Sequence, residues 1–139
     1  MESTGCTFCR VRDGRQPGAF VLDEDDIFAF LDVRPLFAGH VLVAPRAHHA
    51  TLLDVPPVSV GPLFTAVQRV AAAVTIAMGA QGTFVAVNNV VSQSVPHVHV
   101  HVVPRTKGDG LRGFFWPRTT YAGDDEMATV AARIRAALP

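Results

Sequence analysis

The chain has 139 residues, of which 49% are hydrophobic, and its 12 basic residues balance its 12 acidic residues. This length suits one domain with a sizeable core, so we expect a single domain over residues 1–139. A net charge of zero provides no field that attracts polyanions, so the composition argues against nucleic-acid and anionic-membrane partners. The most apolar window, residues 63–78, is too short to span a bilayer, and residues 1–13 contain no signal-peptide core. We therefore expect a cytoplasmic protein.

The first half of the chain predicts three strands. Residues 19–23 and 26–32 have the composition of paired strands, joined by the acidic turn at residues 23–26. Residues 40–45 form a third predicted strand, which ends at Pro45 because proline cannot donate to a sheet ladder.

The second half predicts two helices and two further strands. Apolar residues recur at helical spacing over residues 63–78, so we expect a helix that begins at Pro62 and stops at Gly79. Strands are predicted at residues 83–89 and 97–103, and two aspartates precede a helical apolar pattern near the C-terminus. Together these elements predict an α+β fold: an antiparallel meander sheet with one main helix and a C-terminal helix.

The stretch PHVHVHVVPR, residues 96–105, alternates histidines with valines. On a strand, alternate side chains share a face, so His97, His99 and His101 point the same way, with neighbours about 6.5–7 Å apart. The intervening valines then face the opposite side and can pack beneath the helix. Three interpretations fit this pattern: a histidine-rich exposed strand, a metal site completed by another ligand, or phosphoryl chemistry in which a neutral imidazole attacks phosphorus.

This stretch matches the signature of the histidine-triad (HIT) hydrolases and nucleotidyl transferases, in which three histidines alternate with apolar residues. Three further blocks, CTFC, FAFLDVRPLFAGHVLVAPRAHH and VNNVVSQSV, resemble the family's successive blocks in the same order. The resemblance covers residues 6 to 105 and implies a HIT-like fold. It also implies a homodimer that binds a purine nucleotide and releases an AMP-type product.

The resemblance implies a role for each of four polar residues in catalysis. His99, the middle histidine, would attack the α-phosphorus and become a nucleotidyl-histidine, from which water releases the mononucleotide. His101 would contact the phosphate, and Ser94 would hydrogen-bond the leaving group or the phosphate. His40 resembles the extra family histidine beside the triad.

Further residues resemble the family's nucleotide contacts: Phe8, Phe30, Asp32, Val33, Asn88 and Gln93. Asp32 would accept hydrogen bonds from both ribose hydroxyls, and the apolar members would contact the base. Asn88 is the choice for the family's active-site asparagine, with Asn89 as the alternative, because the loop NNVVSQSV is shorter than usual and lacks glycine. Arg105, directly after the histidine strand, is a further candidate for phosphate binding.

Cys6 and Cys9 form a Cys-x-x-Cys pair, which in a reducing compartment favours a metal site or a redox pair over a structural disulfide. A closed zinc site needs two more ligands, for which His48, His49 and His97 are candidates. The resemblance implies a structural zinc bound by Cys6, Cys9, His48 and His97, and no organic cofactor.

The expected function is hydrolysis at the α-phosphate of a purine nucleotide, either a phosphoramidate or a dinucleoside polyphosphate. One alternative is a metallohydrolase with catalytic zinc on His97 and His99. Another is a nucleotide-binding or scaffold dimer with little turnover. The segment 105–118, which contains the aromatic residues 114–116, fits a substrate lid, a basic loop or a dimer contact, and we favour packing or a dimer contact.

Overall fold

The computed structural model describes residues 5–111 and 118–139. These residues form two compact units, Met1–Asp109 and Gly110–Pro139, which are described separately. The first unit contains the sheet and the histidine triad. The second contains the C-terminal helix, and the aromatic residues 114–116 lie outside the described residues.

The secondary structure confirms the predicted α+β class. The elements are α1 (Thr7–Arg12), β1 (Phe20–Asp23), β2 (Ile27–Leu31), β3 (Val41–Pro45), a 3₁₀ turn (Leu52–Asp54), α2 (Pro57–Ala77), β4 (Gly82–Val87), β5 (Val100–Arg105) and α3 (Asp124–Ala137). In the second unit, α3 begins with three acidic residues and has Arg135 in its last turn, an arrangement that complements the helix dipole.

The five strands form one antiparallel sheet in the order β1-β2-β3-β5-β4. The first three strands follow one another as a meander, and β5 then lies between β3 and β4. His101 on β5 is therefore flanked by Leu42 of β3 and Ala86 of β4. Because β5 is an inner strand, His101 is held by pairing on both sides.

One face of the sheet packs against α2. Alternate residues of each strand point to this face, as the period of a strand requires. The buried cluster consists of Ile27, Ala29, Val41, Val43, Val100 and Val102 from the sheet, with Leu63, Ala66, Val67, Val70 and Val74 from α2. The prediction that valines of the histidine strand pack beneath the main helix is confirmed for Val100 and Val102.

The opposite face of the sheet is covered by α1, a helix that the sequence analysis did not predict. Phe28 and Phe30 of β2 pack there with Phe8, Cys9 and Val11 of α1. The helix has only six residues, which is too short to be stable by propensity alone, so this packing is what holds it. The histidines face the same side of the sheet as α1.

Two predicted boundaries shift. The main helix begins at Pro57, so it has 21 residues, and Pro62 lies inside it. The expectation that this segment is too short to span a bilayer was therefore wrong. By length and composition α2 could cross a membrane, although the core helix of a globular domain meets the same length and composition requirement. Strand β5 begins at Val100, because the Val98 N–H donates to His49 O instead of to the sheet ladder.

Leu63 lies fully buried between α2 and the sheet, so Leu63→Ala should lower the free energy of unfolding by about 2–5 kcal/mol. The matched control is Val58→Ala on the same helix, where the side chain is 83% exposed and the change should stay within about 0.5 kcal/mol. Urea denaturation measures both. Equal losses in the two variants would contradict the assignment of the core face.

Candidate active site

A pocket of about 240 Å³ opens on the side of the sheet that carries α1. Its lining residues include seven predicted site residues: Phe8, Phe30, Asp32, Val33, Ser94, His99 and His101. The remaining lining residues are Thr7, Val11, Gln16, Pro17, Gly18, Arg34, Leu42 and Val95, which no sequence pattern identified. Several of them lie on or just after α1, the helix that escaped prediction.

His99 is held in a single orientation by the backbone. Its Nδ1 lies 2.7 Å from the carbonyl oxygen of His97. A carbonyl can only accept a hydrogen bond, so Nδ1 carries the proton, and in the neutral ring Nε2 keeps a free lone pair. Burial lowers the pKa of His99 below its ordinary value, which keeps the imidazole neutral near pH 7. The residue therefore has the tautomer and charge of a nucleophile.

A chain of hydrogen bonds orients His101 through His40. The Leu36 N–H donates to His40 Nδ1 at 3.1 Å, so the proton of the neutral His40 ring must be on Nε2. That Nε2–H lies 2.9 Å from His101 Nδ1 and donates to it. The neutral His101 ring consequently carries its own proton on Nε2, where it is a hydrogen-bond donor for a ligand. The backbone donor at Leu36 had no signal in the sequence.

Asp32 lies beside this chain at the wall of the pocket. One carboxylate oxygen accepts the Arg34 N–H at 2.9 Å, and the other lies 3.7 Å from His40 Nε2. The spacing of Asp32, His40 and His101 would also allow a metal ion. Coordination through His40 Nε2 would however require a proton on Nδ1, which faces the Leu36 N–H. The cluster is better described as a hydrogen-bonded relay.

The apolar wall of the pocket is built by Phe8 and Phe30. The two rings meet edge to face with centroids 5.1 Å apart, and the Phe8 ring also meets the His99 ring at 4.8 Å. Such contacts stabilise a ring pair beyond the area they bury. The wall therefore offers an apolar surface and also restricts the His99 ring.

The loop between β4 and the triad is stabilised by its own polar side chains. Gln93 accepts the Val90 N–H and donates to the carbonyl of Ala50, so both ends of its amide are engaged outside the pocket. Asn88 donates to Ser92 O, and Asn89 accepts the Leu52 N–H.

Two non-glycine residues of this loop have left-handed backbone, Val90 with a φ of 68° and Ser92 with a φ of 60°. This conformation costs on the order of 1–3 kcal/mol per residue, and the hydrogen bonds of the amide side chains maintain it.

Arg105 lies at the far end of β5, where Nε and a terminal nitrogen both bind the Asp109 carboxylate. Neither Arg105 nor the amide residues of the loop line the pocket.

A second cluster lies behind the pocket and consists of Cys6, Cys9, His48 and His97, whose ligand atoms all lie within 4.8 Å of one another. His97 Nε2 donates to the carbonyl of Pro45 at 2.8 Å, which leaves the Nδ1 lone pair facing the two sulfurs at 3.6 Å. His48 Nδ1 lies 3.4 Å from the sulfur of Cys9. Burial lowers the pKa of His97 to about 4 and favours the neutral ring that metal binding needs.

These distances fit a tetrahedral metal. With bonds of about 2.3 Å to sulfur and about 2.05 Å to nitrogen, zinc would place its sulfur and nitrogen ligands about 3.5–3.6 Å apart. The four residues can therefore hold a metal ion, and among the two candidate histidines it is His48 that joins the cluster. In the described residues His99 belongs to neither metal-compatible cluster, which removes the support for a catalytic zinc on His97 and His99.

Three alternating histidines lead into an inner strand, and two of them, His99 and His101, line a pocket with an apolar wall. This arrangement is that of a histidine-triad protein. The HIT domain profile matches residues 13–108, so the chain belongs to the HIT domain family.

Curated relatives agree with this membership. An uncharacterised HIT-like protein of Mycobacterium tuberculosis is 36% identical over 108 residues, which cover 76% of this chain and 75% of that protein. The adenylylsulfatase HINT3 of Arabidopsis thaliana is 32% identical over 108 residues, covering 76% of this chain and 55% of that protein. The asymmetrical bis(5'-nucleosyl)-tetraphosphatase of Schizosaccharomyces pombe is 37% identical over 83 residues, covering 58% and 46%.

Solved structures show the same fold over nearly the whole chain. A HIT family protein of Bacillus subtilis superposes with a TM-score of 0.86 at 28% identity, covering 97% of this chain and 98% of that one. A zinc-bound histidine triad family protein of Mycobacterium smegmatis gives a TM-score of 0.75 at 32% identity, covering 99% and 100%.

Burial and the neighbouring His99 and His40 lower the pKa of His101 to about 4. Histidine-selective ¹⁵N NMR should therefore show His101 as the neutral Nε2–H tautomer at pH 7, with a titration midpoint near 4. The unfolded chain binds this proton near pH 6.5, so the contribution of His101 to folding stability should diminish as the pH falls from about 6.5 to about 4. A midpoint near 6.5, or an Nδ1–H tautomer, would contradict the hydrogen-bonded relay.

Proposed function

We propose that the protein is a nucleotide hydrolase that cleaves at the α-phosphate of a purine nucleotide through a covalent nucleotidyl intermediate on His99. The single observation that carries this proposal is the hydrogen bond from His99 Nδ1 to the His97 carbonyl, which leaves Nε2 as a free lone pair in a residue that lines the pocket. A neutral, oriented imidazole is an effective nucleophile toward phosphorus.

In the proposed reaction, His99 Nε2 attacks the α-phosphorus and forms a phosphorus–nitrogen bond. The bond from phosphorus to the leaving group breaks with its electron pair, and the leaving group takes up a proton. Water then attacks the same phosphorus, and the phosphorus–nitrogen bond breaks to release the mononucleotide and restore the imidazole. The Nε2–H of His101, fixed by His40, donates to a phosphate oxygen as charge develops there.

The nucleoside would occupy the wall formed by Phe8, Phe30 and Val33. These residues offer apolar area to a purine, and Asp32 can accept hydrogen bonds from both ribose hydroxyls. Ser94 lines the pocket beside the triad and can hydrogen-bond the phosphate or the leaving group. In this proposal the amides of Asn88 and Gln93 shape the loop next to Ser94 rather than bind phosphate.

The leaving-group side favours a phosphoramidate over a dinucleoside polyphosphate. Residues 83–104, which include the loop and most of the triad strand, contain no Lys or Arg, and the next cation, Arg105, binds Asp109. The pocket-lining cation Arg34 directly follows Asp32 and Val33, which places it on the nucleoside side in this proposal. A polyphosphate leaving group carries several negative charges and needs cationic partners, whereas an amine does not. Relatives named for cleaving an adenylyl sulfate or a dinucleoside tetraphosphate support hydrolysis of a nucleotide without deciding this point.

An alternative from a different class is a nucleotide-binding dimer that turns over little substrate. The loop before the triad favours this alternative, because it is shorter than usual for the family, lacks glycine and holds Val90 and Ser92 in left-handed backbone. Binding of AMP without hydrolysis of any substrate in the panel described below would support it.

We also propose that the cluster of two cysteines and two histidines binds a structural zinc. The donor set and spacing fit zinc, and the zinc-bound relative shows that the fold admits this metal. Cysteines must stay reduced to bind zinc, which suits a reducing compartment such as the expected cytoplasmic location.

A homodimer is the expected assembly. Strand β4 is an edge of the sheet, and exposed Val85 on it lines an open groove with Phe64, Gln68 and Ala71. In the part of the chain that the structure describes, β4 is an edge strand beside an apolar groove, which is a surface that a second copy can cover.

His99→Ala should abolish hydrolysis, with a loss of about 10⁴–10⁶-fold in turnover, because neither neighbouring histidine can bring its nitrogen within about 3–3.5 Å of the phosphorus. Binding of AMP should persist, since Asp32 and the apolar wall remain. Calorimetry and a coupled turnover assay measure the two effects, and His49→Ala is the matched control because His49 does not line the pocket.

The turnover assay should use a panel of adenosine phosphoramidates and dinucleoside polyphosphates, and we expect the phosphoramidates to have the higher kcat/KM. Near-normal turnover in His99→Ala would overturn the assignment of the nucleophile. A higher kcat/KM for the polyphosphates would contradict the leaving-group argument alone.

Protein purified without chelator should contain about one zinc per chain, measured by elemental analysis. Cys9→Ser should lower both the zinc content and the melting temperature, because metal binding contributes free energy to folding. His49→Ala should change neither. Absence of zinc from the wild-type protein, or a Cys9→Ser variant with unchanged zinc content, would count against the site.

Sedimentation at micromolar concentration should show a homodimer. Val85→Arg should shift the protein toward monomer, because it places a charge on the edge strand. A matched substitution on an exposed residue elsewhere, Leu53→Arg, should leave the dimer intact. A monomeric wild-type protein would contradict the proposed assembly.

A further inference from the structure

We infer that metal occupancy of the Cys6, Cys9, His48 and His97 cluster positions the nucleophile His99, so that metal binding and nucleotide binding are thermodynamically coupled. This inference rests on the proposed nucleotide site and the proposed zinc site. It assigns His97 and Phe8 as positioning residues that connect the two.

The first connection runs through His97, which is fully buried and contacts both sites with different atoms. Its ring Nδ1 lies 3.6 Å from the sulfurs of Cys6 and Cys9, while its Nε2 donates to the Pro45 carbonyl. Its own carbonyl oxygen accepts the His99 Nδ1–H at 2.7 Å. A metal that holds the His97 ring therefore also holds the carbonyl that selects the tautomer of His99.

The second connection runs through Phe8, which lies on α1 between the two cysteines. The Phe8 ring meets the His99 ring at 4.8 Å and the His97 ring at 6.1 Å, in both cases edge to face. Phe8 also lines the pocket where the nucleotide would bind. Because Cys6 caps α1 and Cys9 lies within it, a metal bound by both fixes the helix that carries this ring.

These connections have a thermodynamic consequence. A nucleotide in the pocket would contact Phe8 and His99. The metal would bind His97 directly and would fix Phe8 through the cysteines of α1. The nucleotide and the metal therefore favour the same arrangement of these side chains. A coupling free energy is reciprocal, so the nucleotide must strengthen metal binding by the same factor by which the metal strengthens nucleotide binding. Couplings of this kind typically amount to about 5–150-fold.

The test measures how much zinc the zinc-loaded protein releases at equilibrium to a chromophoric chelator, with and without saturating AMP. We expect AMP to lower the resulting zinc dissociation constant at least about fivefold. Binding of AMP is measured separately by calorimetry on the same preparation, and zinc content by elemental analysis. If AMP does not bind, the proposed function fails, and if zinc does not bind, the proposed zinc site fails. If both bind and the zinc dissociation constant changes by less than about fivefold, the coupling is wrong.

Two variants separate the connection from a general effect on stability. Phe8→Leu keeps an apolar side chain but loses the edge-to-face contact with His99, so the effect of AMP on zinc release should fall toward one. Phe20→Leu is the matched control, because Phe20 packs on Phe28 and Phe30, is 41% exposed and does not line the pocket, so this variant should keep the wild-type ratio. Equal ratios in the two variants would overturn the role of Phe8.

A spectroscopic readout follows the positioning role of His97 directly. In zinc-loaded protein, ¹⁵N NMR should show His99 as a single Nδ1–H tautomer. Removing zinc should give a mixture of the two tautomers if the chain stays folded, and an unchanged single tautomer in folded zinc-free protein would overturn the inference. If zinc removal unfolds the chain, the inference is tested by the effect of AMP on zinc release instead, because that effect is measured on zinc-loaded protein.

Discussion

The hydrogen bond from the Nδ1–H of His99 to the carbonyl of His97 is the interaction on which the site depends. It decides which ring nitrogen carries the proton, and thereby which nitrogen has the lone pair for the proposed attack. Its acceptor belongs to a residue whose ring is held in turn by the Pro45 carbonyl and the cysteine sulfurs. The reactive tautomer is therefore fixed by backbone atoms and a buried cluster rather than by a neighbouring carboxylate.

The alternation of the triad strand serves the core and the site at once. Val100 and Val102 pack beneath α2, while the histidines point to the face covered by α1. The strand β5 pairs with both β3 and β4. A shift of its register by one residue would move Val100 and Val102 off the core face and turn His101 into the core. The same packing that stabilises the fold thus sets the register of the histidines proposed to be catalytic.

The parts of the structure that depend on local pattern could be predicted from the sequence. The strands, the main helix and the shared face of the histidines follow from periodicity, and the ligand set of the metal-compatible cluster followed from the family resemblance. The helix α1 could not be predicted, because its six residues are held by tertiary packing of Phe8 and Val11 rather than by helix propensity. The backbone donor at Leu36 is likewise set by the tertiary path of the chain.

The polar residues expected at the site divide into two groups: Asp32 and Ser94 line the pocket, whereas Arg105 does not. Three residues of extended chain separate Arg105 from His101, and Arg105 forms an ion pair with Asp109. A strand rises about 3.3 Å per residue, so residues that are close in sequence along a strand are separated in space. Other residues that line the pocket come from α1, β2 and the loop before the triad.

The most direct test of the account is the position of the nucleotidyl group in the covalent intermediate. Histidine-labelled ¹⁵N protein is mixed with an adenosine phosphoramidate, quenched rapidly without acid, and analysed by ¹⁵N–³¹P correlated NMR. The account predicts a phosphorus–nitrogen bond at Nε2 of His99. A bond at Nδ1, an adduct on another residue, or turnover without any phosphorus–nitrogen bond would contradict it.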